Sequence, residues 1–401
     1  MKRNTLTEAT EALLANITEI DDGEDVDLWH AGRRVLAEPV TATMDQPPFP
    51  RSPLDGYAVR SEDIKDASKE HPVKLKVIDE VVAGHVSDAY VENGTAVRIM
   101  TGAPIPDGAD CILGQEDTDY GEEIVNVYEP IRHHQNYCFQ GEDYKAGKCL
   151  LPKDTVLSTV DVGVIAGTGR ECVKVYRKPR VMLVTSGDEV RLPGEPLSAG
   201  KIYDNNLHMM AMQMEFWGVD VVVKERVEDV AEILADRIRE TADQVDFIIT
   251  SGGVSVGKKD IMHDVIKLLD AERIFWKIAI KPGMPTLCAK YQNTVILCLS
   301  GNPYGAAVNL TLLGRPVFAK MMHREDLDIE RRTGIITNGY PKKSGVTRYV
   351  RSHYKDGKIS IADGSNDSGI LSNMCGCNCL LEIPAGTEKV EPGEEMTVVM
   401  I

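Results

Sequence analysis

The sequence predicts a multidomain α/β plus β protein. It has a doubly wound, parallel-type α/β domain, a small β domain inserted into a discontinuous helical domain, and a second small β domain at the C-terminal end. Three observations predict this. Residues 180–320 alternate β-branched runs with amphipathic helical patterns, the signature of a parallel sheet covered by helices. Residues 60–138 carry short period-two strands separated by turn pairs such as Asn93-Gly94 and Pro106-Asp-Gly108. Beyond residue 328 the helical pattern stops and hairpin signals replace it. At 401 residues the chain is also too long for one core.

The chain begins with an amphipathic pattern, MKRNTLTEATEALLANI, in which Thr5-x-x-Glu8 supplies a capping box, so it reads as a helix and not as a signal peptide. A second helical pattern is expected around HAGRRVLAEPV. Four prolines in the ten residues 44–53 then hold the backbone extended before an expected sharp turn at Asp55-Gly56. Composition alone reads that stretch as a linker. In the β unit, 58–138, the run VRIM ends at Thr101-Gly102, where a hydroxyl ordinarily satisfies local backbone. Residues 139–179 return to mixed character, with an Asp161-led apolar run read as a short helix. Together with 1–57 they make the discontinuous domain.

The α/β domain, 180–327, opens with the strand-like RVMLVT, followed by the helical NNLHMMAMQMEFWG. VDVVV is the next strand, and DVAEILADRIRE is a helix whose Asp229-x-x-Glu232 pair is placed to cap it. FIITS, and the helical DIMHDVIKLLDAE after it, continue the alternation. IFWKIAIKPGMP and TLCAKYQNTVILCLSGNP add strands, and YGAAVNLTLLGRPVFAKMM closes with a helix. The tail, 328–401, contains a hairpin expected to turn on Asp356-Gly357.

Bulk properties exclude several classes. No apolar run is long enough to span a bilayer, and the formal net charge of −17 argues against unspecific binding to nucleic acid or anionic membranes. Nine cysteines without a regular framework read as reduced thiols of a cytoplasmic protein. Cys375-Gly-Cys377-Asn-Cys379 has the alternation of a strand, so its thiols are expected on one buried face and not around zinc.

Chemistry gathers at three strand-to-loop transitions. FIITSGGVSVGKKD runs a buried strand into a Gly-Gly turn, and RVMLVTSGDEV and VILCLSGNP are strands ending in similar loops. In a doubly wound sheet such loops share the carboxyl edge, where ligands bind. The Gly252-Gly253 amides and Lys281 suit the negative groups of a phosphorylated ligand. Asp188, Glu189 and Asp260 supply the oxygen ligands that Mg²⁺ prefers. Each residue singly has an ordinary alternative: Asp260 as a helix cap, Asp229 in a capping box, Gly301-Asn302-Pro303 as a turn. Together they point to an acidic α/β enzyme that binds a phosphorylated ligand through a metal.

PPFPRSPLDGYAVR, VRIMTGAPIPDGAD, NYCFQGEDYKAG, TSGDEV, KIYDNN, SGGVSVGKKD, KPGMP, LSGNP and DGSNDSGILSNM, in that order, resemble the molybdopterin molybdenumtransferases, the MoeA-type family of molybdenum cofactor synthesis. The resemblance spans nearly the whole chain. It implies that the tail is a β-barrel, that the α/β domain is related to molybdopterin adenylyltransferases, and that the protein is an elongated homodimer. It implies a cleft between the α/β and C-terminal domains, with the inserted domain of the other subunit nearby. The implied reaction consumes adenylylated molybdopterin and molybdate, uses Mg²⁺, and releases AMP. An adenylyltransferase would stand upstream and molybdoenzyme acceptors downstream.

Carried over by motif, Asp55, Thr101, Glu189, Asp229 and Asp260 are the implied catalytic residues, with Glu189 and Asp260 holding metal. Ser186, Gly187, Asp188, Ser251, Gly252, Gly253, Gly301, Asn302 and Pro303 would bind the pterin nucleotide. Ser255, Lys281, Arg351 and Ser368 match the family's molybdate and anion pocket. Two positions depart from the pattern: Ser300 replaces a proline, and Met284 stands where a second lysine is common. Two rival readings remain open at this level. One is the adenylylation step itself, against which Val254 stands where those relatives carry threonine. The other is a non-catalytic molybdopterin-binding scaffold.

Overall fold

The computed structural model describes residues 3–254 and 261–401. They form two compact units. One comprises the chain up to Asp25, Arg33–Ala37 and Lys174–Ile401; the other comprises Val26–Gly32 and Glu38–Val173.

The larger unit is built on a six-stranded sheet. Its order is Asp220–Val227, Arg180–Ser186, Phe247–Ser251, Thr294–Leu299, Leu287–Tyr291, Glu272–Trp276. The first four strands are parallel. Leu287–Tyr291 runs against them, and Glu272–Trp276 pairs antiparallel to it, so one strand departs from the fully parallel sheet expected. Only Gln292 and Asn293 join Leu287–Tyr291 to Thr294–Leu299, and a two-residue link can only reverse the chain; Gln292 takes φ 54° to do so.

Strand alternation makes the sheet the middle of three layers. Val181, Leu183, Phe247, Ile249, Val295 and Leu297 pack with helices Leu6–Leu14, Asn206–Trp217 and Arg315–Met321 on one face. Met182, Val184, Ile248, Ile296 and Cys298 pack with Ala231–Thr241 and Met262–Leu268 on the other. The expected capping box forms at the N-terminal helix, with Thr5 N–H to Glu8 Oε2 at 2.7 Å and Glu8 N–H to Thr5 Oγ1 at 3.1 Å. That helix belongs to the α/β layer. Ala9 and Leu13 are fully buried, Lys320 Nζ donates to the Leu14 carbonyl at 3.0 Å, and Ile20 N–H to the Met321 carbonyl at 3.0 Å.

The helix expected around 30–40 is absent. Arg33 takes a left-handed φ of 64° after Gly32, Leu36 bridges to Val175, and Pro39 follows, so the segment lies extended.

The C-terminal strands close into a five-stranded barrel: Thr347–Lys355, Lys358–Ile361, Arg331–Ile336, Glu395–Met400 and Cys379–Ile383, which pairs back to the first. Asp356 and Gly357 both take positive φ, 49° and 74°, as a two-residue hairpin requires. Val350, Ile359, Leu381 and Val398 fill the barrel, while Tyr349, Leu380 and Val399 point outward into the α/β core. Ile280–Lys281 adds a short parallel strand to Thr347–Lys355. The cysteine strand expected at 375–379 is not formed. The strand starts only at buried Cys379, after a turn in which Gly376 takes φ 78° and Cys375 is exposed.

The smaller unit carries a five-stranded sheet, Cys111–Gly114, Gly56–Val59, Thr95–Ile99, Val73–Val81, Ile124–Val127. Gly56 is not the turn expected. It begins a buried inner strand, and a side chain there would meet the Leu113 carbonyl oxygen at 1.9 Å, so glycine is required for close pairing. The short helix led by Asp161 forms as Thr159–Gly167, with Ser158 and Asp161 as its capping box.

Replacing Leu13 with Ala is expected to cost about 2–5 kcal/mol, because it empties a fully buried site in the α/β core. Denaturant titration checks this; a loss under about 0.5 kcal/mol would mean that the N-terminal helix is not part of that core.

Candidate functional site

Arg180–Ser186, Phe247–Ser251 and Thr294–Leu299 lie side by side in parallel, with Thr185 opposite Ser251 and Ser251 opposite Leu299. Their three loops therefore leave the sheet at one level, on its carboxyl edge. The loops are tied to one another. Ser251 Oγ donates to the Ser300 carbonyl at 3.0 Å, and Gly252 N–H to the Leu299 carbonyl at 3.2 Å. Buried Asn206 donates through Nδ2 to Ser251 Oγ and to the Gly301 carbonyl, both at 2.9 Å. Asn206 was not among the expected site residues, although the KIYDNN motif contains it. Beneath it Thr185 Oγ1 donates to Asp204 Oδ2 at 2.5 Å, fixing the helix start.

These loops line a cleft of about 540 Å³ that takes in Ser186, Gly187, Glu189, Asp229, Gly252 and Gly253, with Asn302 and Pro303 on its far side. Gly252 has φ 106°, and a Cβ there would sit 2.3 Å from the Ser186 carbonyl oxygen. Only glycine lets the turn approach so closely. Three buried polar atoms facing this region lack a partner among the described residues: Ser186 Oγ, Asn206 Oδ1 and Asp229 Oδ1. Buried polar atoms are normally paired, so three orphans at one cleft mark a place where a polar ligand completes the bonding.

Asp229 does not cap the following helix as expected. Ala231–Thr241 starts after Val230 without a side-chain cap. Instead Asp188 N–H donates to Asp229 Oδ2 at 3.2 Å and Asp229 N–H to Asp188 Oδ1 at 3.4 Å, which joins the two loops. Ser255 and Asp260 lie outside the described residues. Among the described residues no three acidic, histidine or cysteine groups cluster as a metal site.

A second cleft, of about 620 Å³, adjoins the first and shares Pro285, Ser300, Asn302 and Gly369 with it. Lys281, Lys342 and Arg348 line it, as does Met284. Ser368 enters here: Asn302 Nδ2 donates to its Oγ at 3.0 Å, and Tyr304 N–H to its carbonyl at 3.1 Å. The departure at Ser300 is locally compensated, because Ser300 Oγ accepts the Asn302 N–H at 3.2 Å and so braces the turn. Asn309, fully buried, holds the Lys281–Thr286 loop by donating to the Gly283 carbonyl at 2.9 Å and to Thr286 Oγ1 at 2.5 Å. Its position gave no signal in the sequence, since it sits inside an apolar helical run.

Arg351, expected in the anion pocket, is engaged by the protein itself. It is fully buried, its guanidinium lies 3.6 Å above the Tyr304 ring, and Nη1 donates to the Ser365 carbonyl at 2.9 Å. Nη2 donates to the Asp367 carbonyl at 3.0 Å and also to the Ile370 carbonyl. Three carbonyls of one loop thus converge on it, and that loop carries Ser368 to the cleft. Lys342 and Arg348, conversely, were missed; pairing of Ile280–Lys281 with Thr347–Lys355 brings Arg348 beside Lys281, which no local pattern announces.

In the smaller unit Asp55 and Thr101 meet directly. Thr101 N–H and Oγ1 each donate to Asp55 Oδ1 at 2.7 Å. The hydroxyl bond, then the amide bond, hold the Asp55 carboxyl below the usual aspartate range, with help from the Arg98 charge.

Three family descriptions match the chain in order: the MoeA N-terminal region (domain I and II) over residues 4–169, a probable molybdopterin binding domain over 182–320, and the MoeA C-terminal region (domain IV) over 333–401. A molybdopterin molybdenumtransferase of Bacillus subtilis is 33% identical over 375 residues, covering 92% of this chain and 87% of that protein. One from Staphylococcus epidermidis is 31% identical, covering 99% of this chain and 95% of its own. The crystal structure of a molybdopterin biosynthesis moeA protein from Pyrococcus horikoshii superposes with TM-score 0.83 at 29% identity, covering 100% of both chains.

Two measurements probe this geometry. Gly252→Ala is expected to cost about 1–3 kcal/mol of stability through left-handed strain and the carbonyl clash; an unchanged melting temperature would refute the close approach. Thr101→Val should raise the Asp55 carboxyl toward the ordinary aspartate value in a carbon-13 NMR titration. Because this carboxyl is held low, the contact contributes fully above the ordinary aspartate range, and its contribution is lost only as pH falls through the lowered value. An Asp55 titration identical in both proteins would show that Thr101 does not set it.

Proposed function

This chain belongs to the MoeA family of molybdopterin molybdenumtransferases, and from that premise we propose how its residues divide the work. It is a transferase that inserts molybdenum in the biosynthesis of the molybdenum cofactor. Its substrates are adenylylated molybdopterin and molybdate, and AMP leaves as the phosphoanhydride is cleaved. The observation that carries this reading is a pair of adjoining clefts with complementary chemistry. One offers glycine backbone and orphaned polar atoms to a pterin nucleotide; the other offers cations to a tetrahedral oxyanion.

In the first cleft Gly252 and Gly253 let the backbone approach phosphate, while Ser186 Oγ and Asn206 Oδ1 bond polar edges of the substrate. Glu189 and the orphaned Asp229 Oδ1 are oxygen donors that fit Mg²⁺, and by family motif Asp260 joins them. Bound there, Mg²⁺ would neutralise phosphoanhydride charge. In the second cleft Lys281 and Ser368 face molybdate, and Arg351 holds the loop that positions Ser368. Charge-assisted donors are strong in such a partly enclosed setting.

Asp55 and Thr101 act as one unit, a carboxylate held ionised and oriented by its hydroxyl and amide partners. We place them at the active cleft of the partner subunit in a homodimer. A molybdopterin adenylyltransferase would supply the substrate and molybdoenzymes would receive the product. The nine free thiols fit a cytoplasmic enzyme.

The test is an AMP-release assay with purified protein, adenylylated molybdopterin and Mg²⁺. Release should require molybdate and yield active cofactor. Glu189→Gln and Asp260→Ala should still bind the nucleotide but release AMP about 100-fold more slowly or worse. Release independent of molybdate, or adenylylation of unmodified molybdopterin by ATP, would overturn the reading.

A further inference from the structure

The cationic cleft holds more donors than the molybdate motif accounts for. Arg348 and Lys281 are partners in the parallel pairing of Thr347–Lys355 with Ile280–Lys281. In-register residues of neighbouring strands share a face, so both side chains are carried to the same wall. Arg351 lies three positions further along the strand and therefore on the opposite face, where its guanidinium is taken up by loop carbonyls. The two arginines thus have separate tasks set by strand alternation.

Among the described residues Arg348 has no carboxylate partner. Its guanidinium sits 5.6 Å from the centre of the Tyr340 ring, and its Nε is buried without an acceptor among the described residues. Tyr340 also lines the cleft. It is only 4% exposed, yet its hydroxyl is likewise buried without a partner among the described residues. A buried guanidinium N–H and a buried phenol lacking acceptors on one wall are costly unless a ligand supplies oxygen. Lys342 lines the same cleft without an ion pair among the described residues. The acidic lining side chain is Asp367, whose Oδ2 accepts from Ser365 Oγ at 2.8 Å. In a chain of net charge −17, a cleft that gathers Lys281, Lys342 and Arg348 around two donors unsatisfied among the described residues suits a small dianion.

We propose that Arg348 and Tyr340, with Lys342 at the margin, are oxyanion-binding and affinity-determining residues of this chain. They act beside Lys281 and supply the second charge that Met284 cannot. The proposal rests on the reading that molybdate is a substrate. Guanidinium presents several N–H groups in a fixed fork and suits a tetrahedral dianion of the MoO₄²⁻ type better than a single ammonium does.

The experiment pairs two readouts on the full-length protein. Equilibrium dialysis with molybdate alone measures binding, and molybdate-dependent AMP release measures use. Arg348→Gln is expected to weaken dialysed molybdate binding tenfold or more. It should raise the KM for molybdate by the same factor, with affinity for the adenylylated pterin unchanged. Arg348→Lys should recover part of the loss. Adding Met284→Lys to Arg348→Gln should recover part as well, which a merely structural role would not allow. Tyr340→Phe, a smaller change, should weaken molybdate binding a few-fold with an unaltered melting temperature. Wild-type molybdate affinity in both Arg348→Gln and Tyr340→Phe would overturn the proposal. If wild-type protein bound molybdate through Arg348 yet released no AMP, the proposed reaction would fail while this site stood.

Discussion

A buried guanidinium holds the working end of this molecule together. Arg351 stands on the first strand of the barrel, lies 3.6 Å above the Tyr304 ring at the start of the last α/β helix, and binds carbonyls of the 363–370 loop. Burial pulls its pKa below the usual guanidinium value, and its Nε has no partner among the described residues. Such a charge is expensive to bury, and removing one partner of a buried polar set costs more than the set contributes. Tyr304 adds a second tie, donating its hydroxyl to the Tyr349 carbonyl at 3.0 Å. Barrel and sheet are thus fixed at the point where the two clefts meet.

That junction explains why the clefts differ although they share Ser300 and Asn302. The first is made by loops leaving parallel strands, where backbone amides and acidic side chains collect. The second is walled by the barrel, whose strand alternation sends Arg348 toward the cleft and Arg351 into the junction. An offset of three residues on a strand decides whether an arginine meets a ligand or organises a loop. Ser368 is the product of both, presented by the loop Arg351 holds and bonded by Asn302 of the sheet edge.

Among the described residues, five of the eleven buried polar atoms left unpaired belong to residues lining the two clefts. Ser186 Oγ, Asn206 Oδ1 and Asp229 Oδ1 belong to the first cleft, and Arg348 Nε and Tyr340 Oη to the second. Packing that satisfied them internally would stabilise the fold and close the site. The supporting bonds run the other way: Asn309 under the Lys281–Thr286 loop and Asp204 under Asn206 are saturated on the atoms that brace those loops. Braced supports beneath unsatisfied polar atoms are the pattern of a preorganised binding site.

The sequence alone determined what depends on local physics. Strand alternation, the Thr5-Glu8 capping box, the short Asp161-led helix, the Asp356-Gly357 hairpin and the three strand-end loops follow from periodicity and turn chemistry. The order of motifs carried the family and its reaction. Tertiary structure decided the rest, because it depended on partners distant in the chain. Gly56 became a buried strand residue because Leu113 approaches it, Asp229 left its cap for Asp188, and the N-terminal helix docked on a sheet that begins at residue 180. Leu287–Tyr291 runs antiparallel to its neighbour because a two-residue link left no other course. Arg351 and Arg348 could not be told apart by composition, since both are arginines on one strand. Only the closed barrel and its pairing with Lys281 fix which of them faces the cleft.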